Sequence, residues 1–178
     1  VHYDEKTQKW TGTGRAFISG KERKPPCNAY PFGGIREDAS GTLHIAWCWR
    51  ETPDVVTNFD VCYAKSDDKG HSWKRWDGSE YELPIRPKNA EVVDPIEQRQ
   101  GLLNGGSLVV DRQGRPYIGY TRFDENGFNQ LFVTTPGENE WRTIQLTDWK
   151  DKQGRLRKTC YLHLLIRLGL VLLIYLVP

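Results

Sequence analysis

Few side chains of this chain are spaced for the familiar kinds of catalysis. The four cysteines, Cys27, Cys48, Cys62 and Cys160, form no CxxC pair and show no spacing with histidine that is typical of a zinc site. The sequence also contains no P-loop, GxGxxG or HExxH motif, which would indicate a bound nucleotide or a catalytic metal. We therefore expect no metal ion and no cofactor.

The segment LHIAWCWR, residues 43–50, indicates how its own polar residues are placed. Apolar and other residues alternate along it with a period of two, which is typical of a β-strand. We expect His44 to be a structural histidine in this strand, with its hydrogen bonds satisfied. Cys48 and Cys62 also lie in apolar strand patterns, so we expect buried thiols in preference to a disulfide.

The stretch SDDKGHSW, residues 66–73, has the composition of a tight β-hairpin. Asp68 and Ser66 can accept hydrogen bonds from the turn, and Gly70 can supply the positive φ that the turn needs. The fixed positions of this pattern are Ser66, Asp68, Gly70, Ser72 and Trp73. The pattern resembles the Asp box of the sialidase-like, BNR-repeat β-propellers. The resemblance implies an architectural turn on the rim of a blade, with His71 exposed and no part in catalysis.

A second pattern indicates internal repetition. The residues Gly33, Ile35, Asp38 and Gly41 recur in the same order as Gly106, Leu108, Asp111 and Gly114. The repeat predicts two four-stranded blades at about 33–85 and 105–146, joined through a surface loop at 85–101. The segment YDEKTQKW, residues 3–10, is similar to a decayed copy of the hairpin and predicts part of a preceding blade.

These patterns predict an all-β fold, a partial β-propeller over residues 1–149. The chain contains no Met, and two blades with part of a third cannot close a ring. We therefore expect a piece of a longer propeller of about six to eight blades.

The charge is divided unevenly along the chain. Residues 150–178 hold six of the 25 basic residues and one of the 23 acidic residues, which leaves residues 1–149 with a net charge of −3. The body has no basic patch interleaved with aromatic residues. We therefore expect no nucleic acid partner.

The blade pattern stops near Trp149, and a basic, then apolar tail follows at 150–178. Its apolar run, 168–178, is shorter than the ~20 residues that span a bilayer. Extension back to Tyr161 would include His163 and Arg167, which are costly in hydrocarbon. Three hypotheses stay open: a frameshifted or mistranslated end, a membrane-associated tail, and a buried propeller strand.

Residues 27–74 carry a closer resemblance, through the segments NAYPFGG, LHIAWCWR and TNFDVCYAK. They are similar to BNR-repeat-containing proteins that include several polysaccharide lyase families acting on uronic-acid polymers, and the similarity extends over about 27–149. The resemblance implies a carbohydrate-active propeller that cleaves an anionic, uronic-acid polysaccharide by lyase or glycosidase-like chemistry. It implies an anionic polysaccharide or oligosaccharide as partner, and a secreted or periplasmic location.

A uronate lyase needs a group that neutralises the carboxylate, a base that removes the α-proton and an acid for the leaving oxygen. The resemblance implies a pocket of inner-strand residues with Tyr30 and Arg50 as catalytic residues. The implied substrate-binding residues are Asn28, Asn58, Asp60, Asn104 and Arg122. Simpler roles stay open: packing for Tyr30, an ion pair of Arg50 with Glu51 or Asp54, and turn hydrogen bonds for Asn58 and Asp60.

Two positions depart from the pattern of these relatives. Phe59 stands where relatives commonly have histidine in Thr-Asn-His-Asp, and Thr121 stands where they commonly have histidine before a basic residue. Imidazole is the usual proton carrier near neutral pH. A non-catalytic glycan- or protein-binding propeller is therefore a second hypothesis, and a truncated inactive product is a third.

Overall fold

The computed structural model describes residues 2–11 and 16–150. A 3-10 helix, Val55–Thr57, precedes the sixth strand. No helix of the described ranges is long and apolar enough to cross a membrane. The hypotheses on the tail concern residues outside the described ranges.

The strands are β1 (His2–Asp4), β2 (Lys9–Thr11), β3 (Asn28–Pro31), β4 (Arg36–Glu37), β5 (Leu43–Arg50), β6 (Asn58–Ser66), β7 (Glu91–Asp94), β8 (Ser107–Val110), β9 (Pro116–Phe123), β10 (Asn129–Pro136) and β11 (Trp141–Gln145).

The strands form one hairpin and two larger antiparallel sheets. In the first sheet β3 and β4 both pair with β5, which is followed by β6 and β7. In the second sheet the order is β8, β9, β10, β11, and each strand pairs with the next along the chain. The hairpin of β1 and β2 precedes both. The first sheet has five strands, because β3 and β4 pair with successive parts of β5, and the second has four. Successive antiparallel sheets of this kind are the blades of a propeller, so the predicted all-β, partial β-propeller fold is confirmed.

The prediction of a surface loop at 85–101 was wrong. This segment contains β7, which pairs with β6 as the outer strand of the first sheet. Ile85, Val93 and Ile96 are buried. After the hairpin, Lys74 forms only isolated bridges, to Lys65 and Glu80. The edge of β6 at 61–63 is therefore left for β7 to pair with. The first sheet therefore extends from 28 to 94, and the second from 107 to 145.

The strand predicted from the alternation at 43–50 is β5, and both of its faces are buried, whereas alternation with a period of two is typical of a half-buried strand. Trp47 and Trp49 lie in one apolar cluster with Cys62, on the face that carries Phe59. Ala46 and Cys48 lie in the other cluster, which also contains Leu108, Ile118 and Tyr120 of the second sheet. The second cluster is therefore the packing between the two sheets. Cys27, Cys48 and Cys62 are buried free thiols, which confirms the prediction for Cys48 and Cys62.

The hairpin at 66–73 has the geometry that its residues predict. Asp68 accepts the Ser72 N–H at 2.9 Å and the Ser72 hydroxyl at 2.7 Å. The Ser66 hydroxyl donates to Asp68 at 2.7 Å and accepts the Gly70 N–H at 2.8 Å. Gly70 has φ +87°, where a side chain would be strained. These bonds hold the turn closed, and the Trp73 indole, 2% exposed, packs under it.

Replacement of Asp68 by alanine tests how much this turn contributes. The change leaves the Ser72 N–H and two hydroxyls without their acceptor, so we expect a loss of about 1–3 kcal/mol in the free energy of unfolding. Urea unfolding followed by tryptophan fluorescence measures it. Asp67→Ala is the matched control: among the described residues exposed Asp67 forms a salt bridge only with Lys74, so its removal should change stability little. Equal effects of both changes would contradict a special role of Asp68.

Candidate functional site

Three of the predicted site residues lie in one row across the first sheet. Asn28 of β3 pairs in register with Arg50 of β5, and Arg50 pairs with Asn58 of β6. The row lies at the end of β5 that is opposite Leu43, and Leu43 pairs with Ser66 at the start of the Asp-box turn. The candidate site and the Asp box therefore lie at opposite ends of the blade.

Arg50 is the centre of a polar cluster between the two sheets. Its guanidinium carbon lies 3.6 Å from the centroid of the Tyr30 ring, within the range of a cation–π interaction. Arg50 Nη1 donates to Asn104 Oδ1 at 3.4 Å. The same oxygen accepts from Asn58 Nδ2 at 2.9 Å, and Asn58 Nδ2 also donates to the carbonyl of Leu102 at 3.0 Å. We call Tyr30, Arg50, Asn58 and Asn104 the Arg50 cluster.

The Arg50 cluster keeps unused hydrogen-bonding capacity. Arg50 Nε and Asn58 Oδ1 are buried and have no hydrogen-bond partner among the described residues. Most buried polar groups in native proteins are paired with protein or water, so an unpaired donor and an unpaired acceptor in one cluster need an explanation.

The expected ion pairs of Arg50 are absent from the described part of the chain. Glu51 pairs with Arg23, and Asp54 accepts the N–H of Val56 as the cap of the 3-10 helix. Both carboxylates are therefore used elsewhere. Among the described residues, the Arg50 guanidinium has an aromatic ring and an amide as partners but no carboxylate.

Asp60 lies apart from the Arg50 cluster. It is the extra residue of a bulge in the pairing of β6 with β5, has φ +50°, and accepts the Ile96 N–H at 3.3 Å. It lines an open cleft of about 400 Å³ with Arg23, Phe59 and the segment 95–98. Burial raises the pKa of Asp60, against the Ile96 hydrogen bond and the charge of Arg23, which lower it. A carboxyl with a strained backbone and a raised pKa is a common feature of functional positions.

Arg122 also has a different environment from the one predicted. Its Nε donates to Asp94 Oδ2 at 3.1 Å, and its guanidinium carbon lies 4.1 Å from the centroid of the Phe132 ring. Asp94 also accepts the hydroxyl of buried Tyr120, and the Tyr120 hydroxyl lies 2.6 Å from Thr134 Oγ1. Arg122 is thus part of a polar network between the sheets. Its role in substrate binding stays a prediction.

Sequence reasoning missed Asp94 and Tyr120. Asp94 lies in the segment that was assigned to a surface loop, and Tyr120 looks like an ordinary apolar position in PYIGY. The signal that was available is the run EVVD, in which a pair of valines predicts a short strand that ends on an acid. Burial raises the pKa of Tyr120 well above its usual range, so its hydroxyl stays a donor.

The two departures from the relatives are packing positions here. Phe59 is buried, with the Arg23 guanidinium carbon 4.7 Å from its ring centroid, and Thr121 is also buried. His44 is hydrogen-bonded at both ring nitrogens, which confirms its structural role, and His71 is exposed in the Asp-box turn, as predicted. Neither of these two imidazoles belongs to the Arg50 cluster.

The described residues contain no group of three or more histidine, cysteine or acidic side chains that could hold a metal ion. The chemistry of the Arg50 cluster is thus that of a cation, a phenol and two amides. Such groups can bind an anion and transfer a proton.

The stacked antiparallel sheets and the Asp box define a β-propeller of the BNR type. The chain belongs to the BNR repeat-containing family, because the model described as "BNR repeat-containing family member" matches residues 1–149.

The chain is also similar in fold to solved structures of an ulvan lyase. One is titled as polysaccharide lyase PL25 ulvan lyase bound to -[GlcA(1-4)Rha3S]-, with a TM-score of 0.50 and 17% identity over 66% of this chain and 30% of that chain. A second structure of PL25 ulvan lyase gives a TM-score of 0.49 and 17% identity over 72% of this chain and 31% of that one. This chain therefore spans about a third of the length of these structures. No functionally curated protein matches the chain.

The substitution Asp60→Asn tests how much the buried, ionised Asp60 carboxylate lowers the free energy of unfolding. Burial raises the pKa of Asp60 in the folded state above its value in the unfolded state. The contribution of Asp60 to the free energy of unfolding is therefore fully present below about pH 4 and is lost as the pH rises through the folded pKa. Asparagine does not titrate, tolerates a positive φ and can still accept from Ile96. We expect the variant to gain stability over the wild type as the pH rises from about 3 to 7.

Thermal unfolding of both proteins at several pH values measures this difference. Asp68→Asn is the control of opposite sign. Hydrogen bonds from the Ser72 N–H and from the Ser66 and Ser72 hydroxyls lower the pKa of Asp68, so its removal should cost most near neutral pH. A gain of Asp60→Asn that is largest at acid pH would show that Asp60 carries no such cost.

Proposed function

We propose that this chain carries part of the substrate site of a carbohydrate-active propeller, which cleaves an anionic, uronic-acid polysaccharide by lyase chemistry. The observation that carries the proposal is the half-buried guanidinium of Arg50 at the end of β5, which has no carboxylate partner among the described residues and forms one cluster with Tyr30, Asn58 and Asn104. A uronate offers the carboxylate that this guanidinium lacks. The fold of an ulvan lyase bound to -[GlcA(1-4)Rha3S]- supports the same class of substrate.

The geometry gives each member of the Arg50 cluster a role in this chemistry. Arg50 binds the uronate carboxylate, and its positive charge makes the neighbouring α-proton more acidic. Asn104 holds the guanidinium through a hydrogen bond of 3.4 Å, and Asn58 fixes Asn104 at 2.9 Å.

Proton transfer in a lyase reaction needs a base and an acid. The base removes the α-proton, the electron pair forms a carbon–carbon double bond, and the bond to the leaving oxygen breaks as that oxygen takes a proton. Tyr30 is the proton-transfer group of the Arg50 cluster, because its ring lies directly beneath the guanidinium that would hold the substrate. Asn28 pairs with Arg50 on the adjacent strand and is exposed, so it is placed to contact a neighbouring sugar.

Replacement of Arg50 by glutamine tests the proposal in the natural gene product that contains this chain. Loss of the charge at the carboxylate should lower kcat/KM on a uronic-acid polysaccharide by about 100-fold or more, the usual effect of removing an electrostatic stabiliser. The assay is the ultraviolet absorbance of the unsaturated uronate formed.

Arg112→Gln is the matched control, because Arg112 is exposed in the turn between β8 and β9, at the opposite end of the second sheet. Arg50→Lys keeps the charge and should retain part of the activity. Circular dichroism shows that each variant is folded. Equal activity of Arg50→Gln and the wild type would exclude the assigned role.

A second candidate function, a non-catalytic glycan-binding propeller, is favoured by the buried Phe59 and Thr121. The two described imidazoles, His44 and His71, lie at the Asp-box end, away from the Arg50 cluster. Under this alternative the same polysaccharides bind with saturation, Arg50→Gln weakens binding, and no unsaturated product forms even after long incubation. Calorimetric titration beside the absorbance assay separates the two functions.

A further inference from the structure

The loop at 20–27, which precedes β3, presents a cation to the end of β5. Two backbone hydrogen bonds close this loop: the Cys27 N–H donates to the Gly20 carbonyl at 3.1 Å, and the Arg23 N–H donates to the same oxygen at 3.3 Å. A Cβ placed on Gly20 would lie 2.2 Å from the Cys27 carbonyl oxygen, so only glycine allows the two ends of the loop to approach this closely. The closed loop therefore determines where Arg23 lies.

The side chain of Arg23 is held at three points. Its Nη1 donates to the carbonyl of Pro25 at 3.0 Å and to the carboxylate of Glu51. Its guanidinium carbon lies 4.7 Å from the centroid of the Phe59 ring. The Glu51 side chain is only 14% exposed, and among the described residues Arg23 is its only salt-bridge partner. Because a largely buried carboxylate needs a partner, Glu51 depends on Arg23 for its neutralisation.

Glu51 directly follows Arg50 in the chain, and Arg50 is the cation assigned above to the substrate carboxylate. A free carboxylate at this position would attract the Arg50 guanidinium and would repel an anionic substrate. Arg23 removes both effects, because it already neutralises Glu51 from the other side.

Arg23 also compensates other acidic groups near this end of the sheet. It lines the open cleft of about 400 Å³ together with Asp60 and Glu97, and it is the one cation among the residues that line it. Its positive charge lowers the pKa of Asp60, against the larger effect of burial, which raises it. Without Arg23, the negative charge on this side of Arg50 would have no compensation from the lining of the cleft.

We propose that Arg23 is a positioning residue, which leaves the Arg50 guanidinium free for an anionic substrate by holding Glu51 away from it. Among the described residues the side chain of Arg23 contacts Pro25, Glu51 and Phe59, and none of these belongs to the Arg50 cluster. Its effect on Arg50 therefore passes through Glu51. The consequence for substrate rests on the function proposed above, whereas the arrangement of the three charges does not.

NMR of the Arg50 Nε–H group in the isotope-labelled full chain tests the arrangement without any substrate. We expect Arg23→Gln to shift this resonance, because the released Glu51 carboxylate then acts on the guanidinium. The double variant Arg23→Gln with Glu51→Gln should return the resonance toward its wild-type position. Lys21→Gln is the matched control, because it removes an exposed cation from the same loop and should leave the resonance where it is.

A resonance that does not move in Arg23→Gln, or a shift that persists in the double variant, overturns the proposal. If Arg23→Gln fails to fold, Arg23→Lys takes its place, since lysine keeps the charge but lacks the planar fork that fits a carboxylate. It should give a smaller shift in the same direction, which Glu51→Gln removes. The absence of that shift would also overturn the proposal.

The same variants of the natural gene product measure the consequence for a uronic-acid polysaccharide. We expect Arg23→Gln to lower kcat/KM about fivefold, the effect of one partly exposed charge, and the added Glu51→Gln to restore most of it. Loss of the contact with Phe59 alone would not be rescued in this way. Where the polysaccharide binds without turnover, the Kd replaces kcat/KM in the same comparison. Wild-type behaviour of Arg50→Gln refutes the function proposed above, whereas wild-type behaviour of Arg23→Gln beside an impaired Arg50→Gln overturns only the role of Arg23.

Discussion

The burial of both faces of β5 is the constraint on which the rest of the structure depends. Trp47 and Trp49 fill one face, and Ala46 and Cys48 pack on the second sheet through the other. A strand that is apolar on both faces has no place for charged groups along its length, since burial of an unpaired charge is costly. Polar chemistry is therefore confined to the two ends of the strand. One end holds Arg50 and the other holds His44.

The elements that depend on local signals were the ones the sequence predicted well. The Asp-box turn, the alternation of β5 and the repeat that gives the two sheets all follow from short patterns in which each residue has a backbone or packing role. The position of the outer strand of the first sheet, Glu91–Asp94, was not predicted. Its position depends on where a distant segment meets the open edge of β6, and no local pattern encodes that meeting.

The candidate site could be predicted only in part for the same reason. The sequence indicates Arg50 as a candidate because it ends β5, and Asn58 because it follows a turn. Nothing in the sequence shows that both side chains hydrogen-bond to Asn104 of the next repeat. Likewise, Glu51 stands next to Arg50 in the chain and pairs with Arg23 instead. Partner choice among charged side chains is a property of the folded surface and needs the three-dimensional structure.

The shared acceptor Asn104 Oδ1 has a consequence for the mechanics of the propeller. Arg50 and Asn58 belong to the first sheet, whereas Asn104 belongs to the segment that enters the second. A molecule held by all three would act as a clasp across the seam between neighbouring blades. By mass action, anything that binds only the docked sheets favours docking. Ligand binding at the site and docking of the two blades are therefore thermodynamically coupled, and each equilibrium favours the other.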